Sequence, residues 1–132
     1  MKKIYLACSL THAPEDFKNH IAKLKDSLRH KYEVTDFLGL ELGTPQDVFK
    51  HDIGGVKTCD LLLADCSHPS TGLGFEIATA LYNHKPVLGV AHGDAEVSRF
   101  ILGINNPLFS LVRYRDTDEV LDAVEKKIAG II

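Results

Sequence analysis

The sequence predicts an α/β fold in which a parallel sheet is covered by helices on both faces. Three observations predict it. Short apolar runs alternate with segments of helical spacing along all 132 residues, the pattern of strand–helix crossovers with right-handed connections. The run Asp60-Leu-Leu-Leu-Ala-Asp65 is continuously apolar inside, as a strand covered on both faces requires. The linkers are short and free of repeats, and the length fits one domain spanning 1–132.

In order, residues 3–8 read as a first buried strand. Pro14 and Glu15 open a helix whose stripe is Phe17, Ile21, Leu24 and Leu28. Residues 33–38 read as a second strand. Thr44-Pro45-Gln46-Asp47 combines a hydroxyl N-cap, a proline at the first helical position and an acid in the first turn. That helix runs to about Thr58, weakened by Gly54-Gly55. The third strand is 60–65. A loop, His68-Pro-Ser-Thr-Gly-Leu-Gly74, leads to a helix expected to begin near Phe75 or Glu76. Residues 86–91 form the fourth strand, 95–103 a short helix and 108–114 the fifth strand. Residues 117–129 close the chain as a helix with Val120, Leu121, Val124 and Ile128 inward. Ligands of such sheets sit at the carboxyl ends of the strands, so segments 8–12, 39–44, 65–76 and 91–95 should surround one crevice.

Composition excludes several function classes. Apolar residues make up 45% and charged residues 25%, an ordinary globular balance. The net charge is -3 and the basic residues do not cluster; Lys23, Lys25, Arg29 and Lys31 read as the wet side of a helix. A nucleic-acid backbone is therefore not the expected partner, because phosphate chains require a basic face. Cys8, Cys59 and Cys66 are odd in number and lack a CxxC spacing, which suits reduced thiols in a cytoplasmic protein. No apolar run approaches the roughly 20 residues of a membrane span, and the first apolar run is too short for a signal peptide. The seven histidines show no metal-ligand spacing, so neither metal nor cofactor is expected.

Two carboxylates attract attention. Asp52 falls between Val48 and Val56 on the helical wheel, in the middle of an apolar stripe, where an unpaired charge would cost several kcal/mol. It either sits at an exposed helix end, caps a neighbouring loop, or points into a pocket at the sheet edge. Glu76 follows two glycines, Gly72 and Gly74, that let a backbone approach a ligand closely; a plain turn with Glu76 stabilising the helix dipole is the alternative. Together the two would supply the pair of carboxylates that glycosidic cleavage commonly uses. Tyr5 is either core or a hydroxyl that orients a carboxylate. Ser9 is either a turn or cap residue or a phosphate or sugar contact.

Ile4-Tyr5-Leu-Ala-Cys-Ser9, Asp52, Cys59-Asp60-Leu-Leu-Leu-Ala-Asp65, Pro69-Ser70-x-Gly-x-Gly-x-Glu76 and Lys85-Pro86-Val-Leu together resemble the nucleoside 2-deoxyribosyltransferase superfamily, across nearly the whole chain. The likeness is greatest to its 2'-deoxynucleoside 5'-phosphate N-hydrolase branch. The resemblance implies a flavodoxin-like, doubly wound five-stranded parallel sheet with helices on both faces. It implies that Glu76 attacks the anomeric carbon, that Asp52 binds or protonates the departing base, and that Tyr5 holds the nucleophile. Water or a second base would then resolve the sugar ester, giving a hydrolase or a transferase. The hydrolase branch grips the 5'-phosphate with serines that match Ser9, Ser70 and Ser98, whereas the transferases carry an acid where Ser70 stands. The serine matching Ser98 comes from a second subunit, which implies a homodimer or higher oligomer. Thr11 departs from the branch, which has a basic residue there; phosphate binding would then be weaker, or supplied by His12 or Arg99 instead. A non-catalytic nucleotide-binding module on the same fold is the reading from another class. An intact set of Glu76, Asp52 and Tyr5 speaks against it, since a binding module needs no nucleophile.

Overall fold

The computed structural model describes residues 1–39 and 41–131. Five strands, β1 (Lys3–Ala7), β2 (Glu33–Asp36), β3 (Leu61–Asp65), β4 (Val87–His92) and β5 (Phe109–Tyr114), alternate with five helices, α1 (Glu15–Leu28), α2 (Pro45–Thr58), α3 (Thr71–Tyr82), α4 (Arg99–Leu102) and α5 (Thr117–Ala129). The strands pair in the order β2-β1-β3-β4-β5, every pair parallel. This is the expected flavodoxin-like α/β architecture.

The period-2 alternation of strand side chains divides the core into two layers. Ile4, Leu6, Leu61, Leu63, Leu88 and Val90 pack under α1 and α5 with Phe17, Leu24, Val120 and Val124. Tyr5, Ala7, Leu62, Ala64, Val87 and Ala91 face the other way and pack with Val56 of α2 and with Leu73, Ile77 and Ala80 of α3. Register aligns Tyr5 with Leu62 across β1 and β3. Tyr5 therefore belongs to the α2/α3 layer, at the point where the strand order reverses and ligands of this architecture bind.

Two boundaries correct the expectations above. The helix expected near Phe75 or Glu76 begins at Thr71, because the Ser70 side chain accepts a hydrogen bond from the Leu73 N–H (3.1 Å) and caps it. Gly72 and Gly74 thus lie inside α3. The helix expected over 95–103 is confined to Arg99–Leu102: Ser98 is extended at ψ 130° and Val97 is pinned in the core at 5% exposure. The expected N-cap of α2 is present in full, Thr44 and Asp47 forming a reciprocal capping box. Leu40, within the crevice segment expected over 39–44, lies outside the described residues. No helix among the described residues is long and apolar enough to cross a membrane.

Candidate active site

Tyr5, Asp52 and Glu76 come from β1, α2 and α3 and meet on one side of the sheet. Each helix places its acid on an inward stripe. On α3, Leu73, Ile77 and Ala80 are buried, and Glu76 stands between them, three residues after Leu73 and four before Ala80. On α2, Asp52 stands one turn before Val56, and its side chain is 16% exposed. Tyr5 is wholly buried beneath both. Gly55 makes that possible: a Cβ there would sit 2.7 Å from Tyr5 Cδ2 and Cε2, so only glycine lets the ring lie flush against α2.

The three groups perturb one another. Glu76 is pushed up to about 7, first by burial and further by the Asp52 charge, while the Tyr5 hydroxyl pulls it down. The Tyr5 phenol is held protonated far above its usual range, again by burial first and then by Glu76 and Asp52. Among the described residues, Tyr5 Oη is buried without a hydrogen-bond partner of ordinary geometry. A carboxylate shifted by burial and a like charge, beside a neutral phenol donor, is the kind of cluster found in active sites.

Asp52 is held by two donors. The Leu38 N–H, from the loop between β2 and α2, donates to Oδ1 at 3.0 Å, and His51 Nδ1 lies 2.9 Å from the same oxygen. Asp52 thus braces a neighbouring loop, one of the readings the sequence offered, and its charge also acts on Glu76.

The remaining candidates fall into a second group. Ser70 and Ser98 line one cavity of about 410 Å³, with Thr71, Gly74 and Val97 beside them. Ser70 Oγ accepts from the Leu73 N–H, a bond that leaves its hydroxyl hydrogen unused. Gly72 and Gly74 face open space where a Cβ would stand, and Gly74 also lines that cavity. Ser70 and Glu76 lie about 9 Å apart along the axis of α3. Ser9, half-buried beyond the end of β1, does not line that cavity.

His51 and Gly55 belong to no motif, and only their neighbours signal them: His51 precedes the anomalous Asp52, and Gly55 lies one turn beyond it. A further buried polar cluster lies on the opposite face. Asp65, with no exposed surface, accepts from Tyr114 Oη (2.7 Å) and from the Ser67 N–H (2.9 Å), which ties β3 to β5. Among the described residues, no three His, Cys, Asp or Glu side chains are grouped to hold a metal ion. Burial raises the Cys8, Cys59 and Cys66 thiols to between about 11 and about 12, so none is a ready nucleophile.

The family described as Nucleoside 2-deoxyribosyltransferase matches residues 4–112. A protein of Thermofilum pendens, provisionally named 2'-deoxynucleoside 5'-phosphate N-hydrolase 1, is 35% identical over 98% of this chain and 97% of its own. Among solved structures, a Clostridium botulinum CMP N-glycosidase aligns with a TM-score of 0.71 at 24% identity, covering 94% of this chain and 99% of that one. A 2-deoxyribosyltransferase of Leishmania mexicana aligns with a TM-score of 0.68 at 13% identity, covering 96% and 98%. The two structural likenesses show the fold.

Proposed function

The chain belongs to the nucleoside 2-deoxyribosyltransferase family and is an enzyme of N-glycosidic bonds; from that premise we propose that it hydrolyses 2'-deoxynucleoside 5'-monophosphates to free base and deoxyribose 5-phosphate through a deoxyribosyl ester of Glu76. The observation that carries this reading is the convergence of Glu76, Asp52 and Tyr5 on one face of the sheet. In the first half-reaction a Glu76 carboxylate oxygen bonds to C1', the C1'–N bond breaks, and its electron pair leaves with the base. A proton from Asp52 meets the departing nitrogen or its conjugate site. In the second, water bonds to C1', the ester bond returns its electrons to Glu76, and Asp52 takes the water proton. The neutral Tyr5 hydroxyl donates towards Glu76 and holds its orientation in both steps.

The 5'-phosphate preference rests on Ser70 and Ser98, which share the cavity at the start of α3, and on the name borne by the Thermofilum relative. Ser9 is the third proposed contact, from the end of β1. We also propose a homodimer or higher oligomer: α3 turns Phe75 and Tyr82 outward, at 54% and 86% exposure, beside Phe100 of α4 at 86%, an aromatic surface that a second copy would cover. The three free thiols fit the reducing cytoplasm.

The test is product analysis on each deoxynucleoside and its 5'-phosphate, combined with intact-mass spectrometry of the protein during turnover. Wild type should release base and carry a transient adduct of one deoxyribose phosphate, and Glu76→Gln should bind without forming it. Turnover by a folded Glu76→Ala protein would overturn the mechanism. Base exchange with an added free base, in place of net hydrolysis, would move the protein to the transferase reading.

A further inference from the structure

His51 stands beside the site without belonging to any motif that marks it. Its side chain is 45% exposed at the rim of α2, whereas that of Asp52 is 16% exposed and turned inward. Successive residues on a helix diverge by about 100°, so neighbouring side chains do not ordinarily face each other. Here the imidazole nonetheless reaches back to Asp52, with Nδ1 at 2.9 Å from Oδ1. Oδ1 already accepts from the Leu38 N–H and is an acceptor whether or not Oδ2 carries a proton, so the imidazole donates to it and its hydrogen sits on Nδ1. The Leu38 N–H donates to the same oxygen from a different direction, 3.0 Å away.

The terminal torsion of an aspartate is broad, and a carboxylate held by one donor swings about it. Two donors converging on Oδ1 from α2 and from the β2–α2 loop fix the plane of the group. Among the described residues both hydrogen bonds end on Oδ1, which leaves Oδ2 without a partner in a carboxyl group close enough to Glu76 and Tyr5 for its charge to act on both. We propose that His51 is a positioning residue that, with the Leu38 N–H, locks Asp52 so that Oδ2 is presented to the departing base. The inference rests on the reading of Asp52 as the group that serves the base, and it adds the residue that aims it.

The test compares His51→Ala, His51→Asn, Asp52→Asn and the double variant His51→Ala/Asp52→Asn on the four common deoxynucleoside 5'-monophosphates. The amide nitrogen of Asn stands where Nδ1 does and can donate the same hydrogen bond. Losing one donor to a charged group should lower kcat about tenfold in His51→Ala, with KM within about twofold because substrate contacts are untouched. His51→Asn should recover most of the loss, and His51→Ala should have no further effect once Asp52 is Asn. Thermal unfolding of each variant checks the fold.

If His51→Ala turns over at the wild-type rate while Asp52→Asn is slow, the positioning role is overturned and the functional reading stands. A loss that His51→Asn does not restore, or that adds fully to that of Asp52→Asn, also overturns it, since His51 would then act elsewhere. Wild-type turnover by Asp52→Asn would overturn both readings, because Asp52 would have no task to be aimed at.

Discussion

Replacing Glu76 with glutamine should make the protein more stable, by an amount that grows from about pH 4.5 and is complete above about pH 7. Glu76 sits on the inward stripe of α3, and burial with the Asp52 charge raises it from 4.5 to about 7. The folded protein therefore holds this proton more tightly than the unfolded chain. Below pH 4.5 both states are protonated and Glu76 costs the fold nothing. Between pH 4.5 and 7 the unfolded chain releases its proton first, and stability falls; above 7 the folded state carries a charge that it disfavours. At 1.36 kcal/mol per pH unit, the loss reaches about 3 kcal/mol, an upper bound because Glu76 is only partly withdrawn from water. Glutamine has nearly the same shape and no charge to lose. The Glu76→Gln variant should match wild type near pH 4 and exceed it by up to about 3 kcal/mol at pH 8, a rise in Tm on the order of 10 °C. Urea and thermal unfolding followed by circular dichroism at pH 4, 5, 6, 7 and 8, at constant ionic strength, reads the difference. A gap that does not change with pH, or a variant less stable than wild type at pH 8, would refute the placement of Glu76 in a desolvated site.

Three further outcomes follow from the same geometry. In the proposed mechanism the attacking form of Glu76 is the carboxylate, so kcat/KM should rise with pH through about 7 in wild type, and a flat profile from pH 5 to 8 would exclude Glu76 as the group that ionises. Gly55→Ala places a Cβ 2.7 Å from the Tyr5 ring and should cost about 1–3 kcal/mol while slowing turnover. Gly54→Ala, which meets nothing within 4 Å, should gain up to about 1 kcal/mol at unchanged rate, and equal behaviour of the two in unfolding and kinetic assays would refute the close packing of Tyr5. Ser98→Ala should lower the ratio of nucleotide to nucleoside turnover about tenfold, and an unchanged ratio would remove Ser98 from phosphate binding.

Most of the fold was legible because hydrophobic period and capping chemistry agree along this chain. The α1 stripe, the Thr44–Asp47 cap of α2 and the Val120–Ile128 face of α5 each announce a helix that the tertiary structure keeps. The start of α3 was not legible in the same way. Two glycines within four residues lower helix propensity by about 1 kcal/mol each, so the local signal favours a loop up to Gly74. The Ser70 cap and the burial of Leu73, Ile77 and Ala80 offset that penalty, and neither is visible in propensity alone. The error matters for the site: a Glu76 at a helix start would be a solvated dipole partner, whereas one in the second turn is drawn into the core layer. Asp52 was easier, because a charge interrupting an apolar stripe is anomalous whatever it contacts. Its actual partners, the Leu38 N–H and His51, could not be read, because a loop amide has no sequence signature and adjacent helical side chains seldom meet.

The arrangement explains why these residues stand where packing alone would reject them. Tyr5, Asp52 and Glu76 all occupy positions that face the sheet or its covering helices, and aliphatic side chains there would stabilise the fold. Polar groups kept on inward stripes create a site that is partly desolvated before any ligand arrives. A carboxylate in such a place is poorly solvated and so more reactive towards an electrophilic carbon, and a phenol too buried to ionise can only donate. The same burial destabilises the folded protein from about pH 4.5 upward and keeps part of the Glu76 population protonated near neutrality, so the carboxylate that the proposed attack needs grows with pH. Gly55 completes the logic, because removing one methyl group from α2 is what lets the Tyr5 ring lie close enough to the helix for all three groups to share one site.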